Sequence, residues 1–285
     1  MNPAGATPAP PVVYGDYRLG EEIGRGALGA VHLAHDVRSG RRVAVKTMAL
    51  ADGLSREAHD EARWRFTREM LAAQRLHHPD IVAVHAGGEH AGRFWLAMDY
   101  AGGTTLVAHT RPEALLPVAA ALEVGARLAL ALGYAHSRGV VHRDLKPANV
   151  IVEFDGEHGI RQLKLADFGV SRLDDGHNTR TGVLLGTVHY LSPDVLAGAP
   201  ADARSDFHAL GVLVYQLLTG HLPFQGDSLG ALMAAIGRGD AVDPRALRPG
   251  LADAAAEACA IALRRPPGAV ELARLLRAAA PPPAG

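Results

Sequence analysis

The stretch His142-Arg143-Asp144-Leu145-Lys146-Pro147-Ala148-Asn149 carries a carboxylate, an ammonium two residues on and a carboxamide five residues on. A carboxylate can take a proton from a hydroxyl, an ammonium can neutralise a phosphoryl oxygen, and an amide oxygen is a hard ligand for Mg2+. Pro147, with a fixed φ and no backbone N–H, stiffens the turn between them. A second carboxylate follows in Asp167-Phe168-Gly169, after the apolar run 163–166. A base, a charge clamp and two metal ligands are the parts that phosphoryl transfer needs. Without that chemistry, Asp144 and Asn149 would be loop residues capping neighbouring elements. The number of agreeing positions favours the chemical reading.

Elements on either side must position these groups. Residues 117–136 carry apolar side chains at three- and four-residue spacing, including Leu122, Leu128, Leu132 and Ala135, with Pro117 suited to a first turn and Gly139 to the region beyond the C-cap. This helix leads into the loop. Val150-Ile151-Val152 and Leu163-Lys164-Leu165 then predict a hairpin with a polar tip at 153–162. Upstream, residues 17–23, 30–35 and 42–48 read as short strands separated by glycine turns, and 81–87 with 94–100 as a further pair. Between the first two lies Gly24-Arg25-Gly26-Ala27-Leu28-Gly29. Strand-like residues continue after it, so these glycines form a hairpin tip. Backbone N–H groups there can approach phosphates because no Cβ intervenes. In isolation the same glycines suit a purely structural turn. Lys46 ends an apolar strand, where a buried ammonium needs an anionic partner, and the helical run 56–75 offers Glu57, Glu61 and Glu69. Residues 205–220 form a strongly apolar helix with Asp206 in its first turn, where a carboxylate accepts backbone N–H bonds. Further helices are expected over 228–236, 252–263 and 269–279.

His142-Arg143-Asp144 through Asn149, together with Asp167-Phe168-Gly169, Val43-Ala44-Val45-Lys46 and the glycine hairpin, resembles eukaryotic-type serine/threonine protein kinases of the bacterial kind. The resemblance covers about residues 17–279 and implies an α+β, two-lobed protein-kinase-like fold. A β-rich N-lobe with one helix would occupy about 15–100 and a mainly helical C-lobe about 101–280. Residues 1–14 read as a disordered lead-in and 281–285 as a Pro-rich tail. The resemblance implies Asp144, Lys146 and Asn149 as catalytic residues, with Asn149 and Asp167 as ligands of Mg2+ (or Mn2+). It implies an ATP site at Gly24, Gly26, Gly29, Val31, Ala44, Lys46, Met98, Asp99 and Ala101. Lys46 would hold the α/β-phosphates, and Glu69 is the helix glutamate that would fix it. Val31 and Ala44 would cover the adenine, Met98 would stand behind it, and the Asp99 carbonyl and Ala101 amide would bond its edge. The polar stretch 170–192 resembles an activation segment in which Thr179, Thr181 and Thr187 are regulatory, with Arg143 as the charge a phosphothreonine would meet. Asp194 and Asp206 would be structural supports. Lys146 and Thr187 imply serine/threonine preference.

Asp194 departs from the glutamate usual in that family, and the Arg264-Arg265-Pro266-Pro267 stretch near its usual arginine partner is shortened. A direct Asp194–Arg265 pair is therefore expected to be strained, water-bridged or absent. At net charge −1, with 21% charged and 48% hydrophobic residues, the chain has no global basic field for nucleic acid. Charges and Pro117 interrupt its most apolar stretch, which argues against a membrane span. One cysteine, Cys259, excludes an intramolecular disulfide and suits a reducing, cytoplasmic setting, most simply as a small buried hydrophobe. Protein substrates bearing Ser or Thr are expected, with a homodimer for autophosphorylation in trans. The competing classes are a small-molecule phosphotransferase of related fold, disfavoured by Lys146 and the segment before Asp194, and a pseudokinase scaffold, favoured only by the altered Asp194.

Overall fold

The computed structural model describes residues 13–26, 29–49, 55–156, 159–168, 188–264 and 268–281. They divide into two compact units, one within Met1–Met70 and Val84–Tyr100, the other within Leu71–Ala83 and Ala101–Gly285.

The small unit is an antiparallel sheet of β1 (Val13–Tyr14), β2 (Tyr17–Gly26), β3 (Gly29–Asp36), β4 (Arg42–Ala49), β5 (Val84–His90) and β6 (Arg93–Asp99), in the order β1-β2-β3-β4-β6-β5. Consecutive strand residues face opposite sides of a sheet. Trp95 accordingly packs with Tyr14 and Tyr17 on one face, while Phe94 stacks on Phe66 of α1 (Arg56–Ala73) on the other, with ring centroids 4.5 Å apart. Covered on both sides, β6 reads as a continuous apolar run rather than an alternation. Val13 and Tyr14, inside the stretch read as a lead-in, are strand because Tyr14 is buried against Trp95.

In the large unit, β7 (Thr104–Thr105), β8 (Val150–Asp155) and β9 (Gly159–Leu165) form a three-stranded sheet beside α2 (Val118–His136), α3 (Pro193–Leu196), α4 (Ala203–Thr219), α5 (Leu229–Arg238), α6 (Pro244–Leu247), α7 (Asp253–Arg264) and α8 (Ala269–Ala278). By length and composition α2 could cross a membrane, but most of it is buried here, packed on α4 and α8. Glycines permit the close approach of these helices. A Cβ on Gly125 of α2 would meet Val214 Cγ2 at 2.6 Å, and one on Gly211 of α4 would meet the Ala262 carbonyl carbon of α7 at 2.7 Å.

Two expectations are corrected. The polar tip expected over 153–162 is mostly ladder, pairing out to Asp155↔Gly159, because its polar side chains line the exposed side of a hairpin. The strand expected from residue 81 begins at Val84. Ile81 instead bridges Leu165 in parallel, with Val82 N donating to Leu165 O at 2.9 Å and Leu165 N to Asp80 O at 2.8 Å. Buried Asp80 is also paired with Arg127 of α2, which ties 71–83 to the large unit.

Candidate active site

In the large unit the site starts from a buried brace. Asp206, in the first turn of α4 and 1% exposed, accepts His142 N at 2.8 Å on Oδ2 and Arg143 N at 2.8 Å on Oδ1. His136 Nε2, at the end of α2, reaches the same carboxylate at 2.8 Å. The sequence reading gave Asp206 a helix-capping environment, but the cap is Asp202, which accepts Arg204 N and Ser205 N in a capping box with Ser205. Freed from its own helix end, Asp206 is directed to the loop, as the family resemblance implies. It holds Arg143 at φ +69, a left-handed conformation costing a non-glycine residue roughly 1–2 kcal/mol.

His142, fully buried, joins that loop to the next. Its Nδ1 accepts Asp144 N at 3.3 Å, so the proton is on Nε2, which donates to Ala166 O at 2.9 Å. The ring meets Phe168 edge-on, centroids 4.6 Å apart. Ala166 N returns a bond to Asn149 O at 2.9 Å, and the next residue, Asp167, sits at φ +64. The loop bearing Asp144 and the strand end bearing Asp167 are therefore stitched together within one unit.

Within this frame, Lys146 Nζ lies 2.9 Å from Asp144 Oδ1 and 2.8 Å from Oδ2. Asn149, 7% exposed, donates through Nδ2 to Asp144 O at 2.7 Å and to Asp144 Oδ2 at 3.1 Å. These bonds fix the amide so that its oxygen, a hard donor, is the atom not engaged with Asp144. Asn149 and Asp167 together offer oxygen ligands, and among the described residues no cluster of three or more His, Cys, Asp or Glu could hold a metal. Such a sparse oxygen set fits Mg2+ that takes its remaining ligands from phosphates and water.

The small unit carries the other expected residues. Lys46 is half-buried on β4, cross-strand from Val31 and Leu96. Glu69 lies on α1, on the stretch docked to the sheet by Phe66 on Phe94 and by Met70, whose sulfur packs near Gly87 and Leu96. Ala44 and Met98 are direct cross-strand neighbours, and both are buried. Asp99 ends β6 with its carboxylate 2.9 Å from His85 Nε2. Ala101 opens the second stretch of chain that belongs to the large unit and is half-buried. The glycines of the β2–β3 hairpin differ in kind. A Cβ on Gly29 would strike Thr47 O at 1.7 Å, so the sheet itself demands glycine there. Gly26 has open space, and the nearest atom to a Cβ on Gly24 is Val31 Cβ at 4.0 Å. Packing requires neither, which leaves close approach of a ligand as a reason for both.

Thr179, Thr181, Thr187, Gly169 and Arg265 lie outside the described residues, as does the Asp194–Arg265 pair. Asp194 itself is exposed on α3. Sequence reasoning gave no role to His142 or His136. The string containing His142 was a usable signal, whereas His136 meets Asp206 only through the tertiary fold.

The family model for the protein kinase domain matches residues 17–241. A probable serine/threonine-protein kinase of Streptomyces coelicolor is 44% identical over 223 residues, covering 75% of this chain and 32% of the relative. The serine/threonine-protein kinase PknJ of Mycobacterium tuberculosis is 40% identical over 225 residues, covering 79% of this chain and 37% of PknJ. PknB of the same species is 40% identical over 242 residues, covering 82% of this chain and 37% of PknB. The chain thus spans about a third of the length of these relatives. Among solved structures, the crystal structure of Rad53 1-466 in complex with AMP-PNP superposes with a TM-score of 0.72 at 28% identity, covering 90% of this chain and 64% of that one.

Proposed function

Given that the chain belongs to the protein kinase family, with bacterial serine/threonine kinases among its relatives, we propose that it transfers the γ-phosphoryl group of ATP to serine and threonine hydroxyls of proteins. The observation that carries this reading is Asp144, a carboxylate clamped by Lys146 and Asn149 and linked through His142 and Ala166 to Asp167.

Asp144 Oδ1 faces Lys146, while Oδ2 also takes Asn149 Nδ2, so Oδ1 is the less engaged oxygen to receive a substrate hydroxyl. As the hydroxyl oxygen bonds to the γ-phosphorus, its proton passes to Asp144 and the bridging P–O electron pair leaves with ADP. Lys146 neutralises charge on the phosphoryl group in transit. The Asn149 side-chain oxygen and the Asp167 carboxylate would hold Mg2+, which when bound neutralises phosphate oxygens. In the small unit, Lys46 fixed by Glu69 would hold the α/β-phosphates. Gly24, Gly26 and Gly29 would bring backbone N–H groups to the phosphates, and Val31, Ala44, Met98, Asp99 and Ala101 would form the adenine contacts. On this reading the N-lobe spans about 15–100 and the C-lobe about 101–280. Autophosphorylation at Thr179 or Thr181 within a homodimer, with Arg143 meeting the new charge, extends the same proposal.

Asp144→Asn removes the proton acceptor but keeps the side chain's size. Its phosphotransfer rate should fall by about 10²–10⁴-fold while nucleotide binding, followed by calorimetry, is retained. Undiminished transfer by this variant would overturn the assignment.

A further inference from the structure

Helix α1 buries one face and leaves another bare. Ala62 and Phe66 are 5% and 2% exposed, and Phe66 docks the helix on the sheet through Phe94. Residues four apart share a helix face, and the outward face runs through Asp60, Trp64 and Arg68, all exposed. Trp64 is 58% exposed, more than any other tryptophan, tyrosine or phenylalanine among the described residues. Tryptophan is highly buried on average and is enriched among the residues that carry binding energy at protein interfaces. The Arg68 guanidinium lies over its ring, 4.6 Å from the centroid.

Charge changes sign along this face. Glu57, Asp60 and Glu61 precede Trp64, and Arg65 and Arg68 follow it. Some of these charges are already matched within the chain. Arg63, beside Trp64, pairs with Glu89 at 2.6 Å, and Glu61 pairs with Arg65 at 3.4 Å. Asp60 and Arg68 stand four residues to either side of Trp64. Neither side chain makes an ion pair or hydrogen bond among the described residues.

A second α1 laid antiparallel across this face, with the two-fold axis at Trp64, sets Asp60 of each copy opposite the partner's Arg68. It also sets Trp64 against the partner's Trp64. Such an isologous contact is complementary to itself in charge and in apolar surface. A uniformly acidic or basic partner would match only one half of it. From this symmetry we infer that the outward face of α1 is a dimerisation surface for a second copy of this chain, with Trp64 at its centre and reciprocal Asp60–Arg68 pairs at its flanks. One helix face buries less than the roughly 800 Å² per partner of a standard interface, so the association is weak and reversible. Glu69 follows Arg68 on the same helix, so a partner seated here would steady the residue assigned to fix Lys46. That consequence rests on the phosphotransfer reading, whereas the pairing itself does not.

Sedimentation equilibrium without nucleotide, from about 1 to 500 µM chain, tests the pairing apart from any activity. The weight-average mass should rise reversibly from that of one chain towards that of two. Acrylamide quenching of the same samples should show Trp64 passing from accessible to shielded, while the other tryptophan, Trp95, 7% exposed, stays shielded throughout. Trp64→Ala should weaken association by about tenfold or more. Asp60→Arg and Arg68→Asp each place like charges opposite one another in the homodimer, so each variant alone should stay monomeric. Mixed in equal amounts, the two should pair, because every cross-contact is then of opposite sign. A single-chain mass at about 500 µM would overturn the inference, as would a dimer in which Trp64 remains open to the quencher, and neither reading needs a variant to fold. A mixture no more associated than its separate components would overturn it as well.

Discussion

Asp206 shows how one side chain can decide the geometry of the loop that bears Asp144. It meets three donors from two segments, His136 on α2 and the amides of His142 and Arg143, and is nearly inaccessible to solvent. Asp206→Ala would leave two buried amides unmatched and release Arg143 from its left-handed conformation. At about 1–3 kcal/mol per orphaned group, the loss should be about 3 kcal/mol or more. For a unit of this size, Tm should fall by about 6–12 °C in a thermal unfolding scan. A shift within about 1 °C would contradict the brace. Cys259 illustrates the opposite, a reactive residue type made inert. Burial pushes its thiol up from 9.0 to about 12. The folded protein therefore keeps it protonated while the unfolded chain ionises near the ordinary value. Between about pH 8.5 and 12 this raised value subtracts from stability as pH rises. Labelling with iodoacetamide at pH 8 should require denaturant, and rapid labelling of the native protein would contradict the burial.

At the scale of elements, helix contacts in the large unit depend on missing side chains as much as on present ones. Gly211 lets α4 approach the backbone of α7, and a Cβ there would lie 2.7 Å from the Ala262 carbonyl carbon, which cannot rotate away. Gly211→Ala should therefore destabilise by about 1–3 kcal/mol, seen as a lower urea midpoint. Gly230, exposed in α5 with open space at its Cβ, should behave oppositely. Gly230→Ala should stabilise by about 0.4–1 kcal/mol, because alanine restricts the unfolded chain and favours helix. Equal effects of the two changes would show that packing does not separate them. The sequence alone predicted most of these elements, because strands with β-branched alternation and helices with three-to-four periodicity write their own pattern. Features decided by partners far along the chain were not legible. Whether Asp202 or Asp206 caps α4 depends on loop amides 63 and 64 residues distant. Whether Ile81 joins β5 or bridges β9 depends on Leu165.

Across the whole molecule, the candidate site was more legible than its supports. Asp144, Lys146 and Asn149 fall within one eight-residue string, and Asp167 adjoins it through Ala166, so local sequence carries nearly all of that constellation. The residues that fix its geometry, His136, His142 and Asp206, come together only in the fold. The small unit holds Lys46, Glu69 and the glycine hairpin on a sheet whose own packing explains Gly29 but not Gly24 or Gly26, which fits a ligand role for those two. The central claim is that this arrangement moves phosphate from ATP to protein hydroxyls. Mass spectrometry of the purified chain after incubation with Mg·ATP tests it most directly. The account predicts added phosphate esters on serine or threonine, dependent on Mg2+ and absent when it is chelated. A fully unmodified chain that also leaves added protein substrates unmodified, under conditions where ATP is bound, would contradict it.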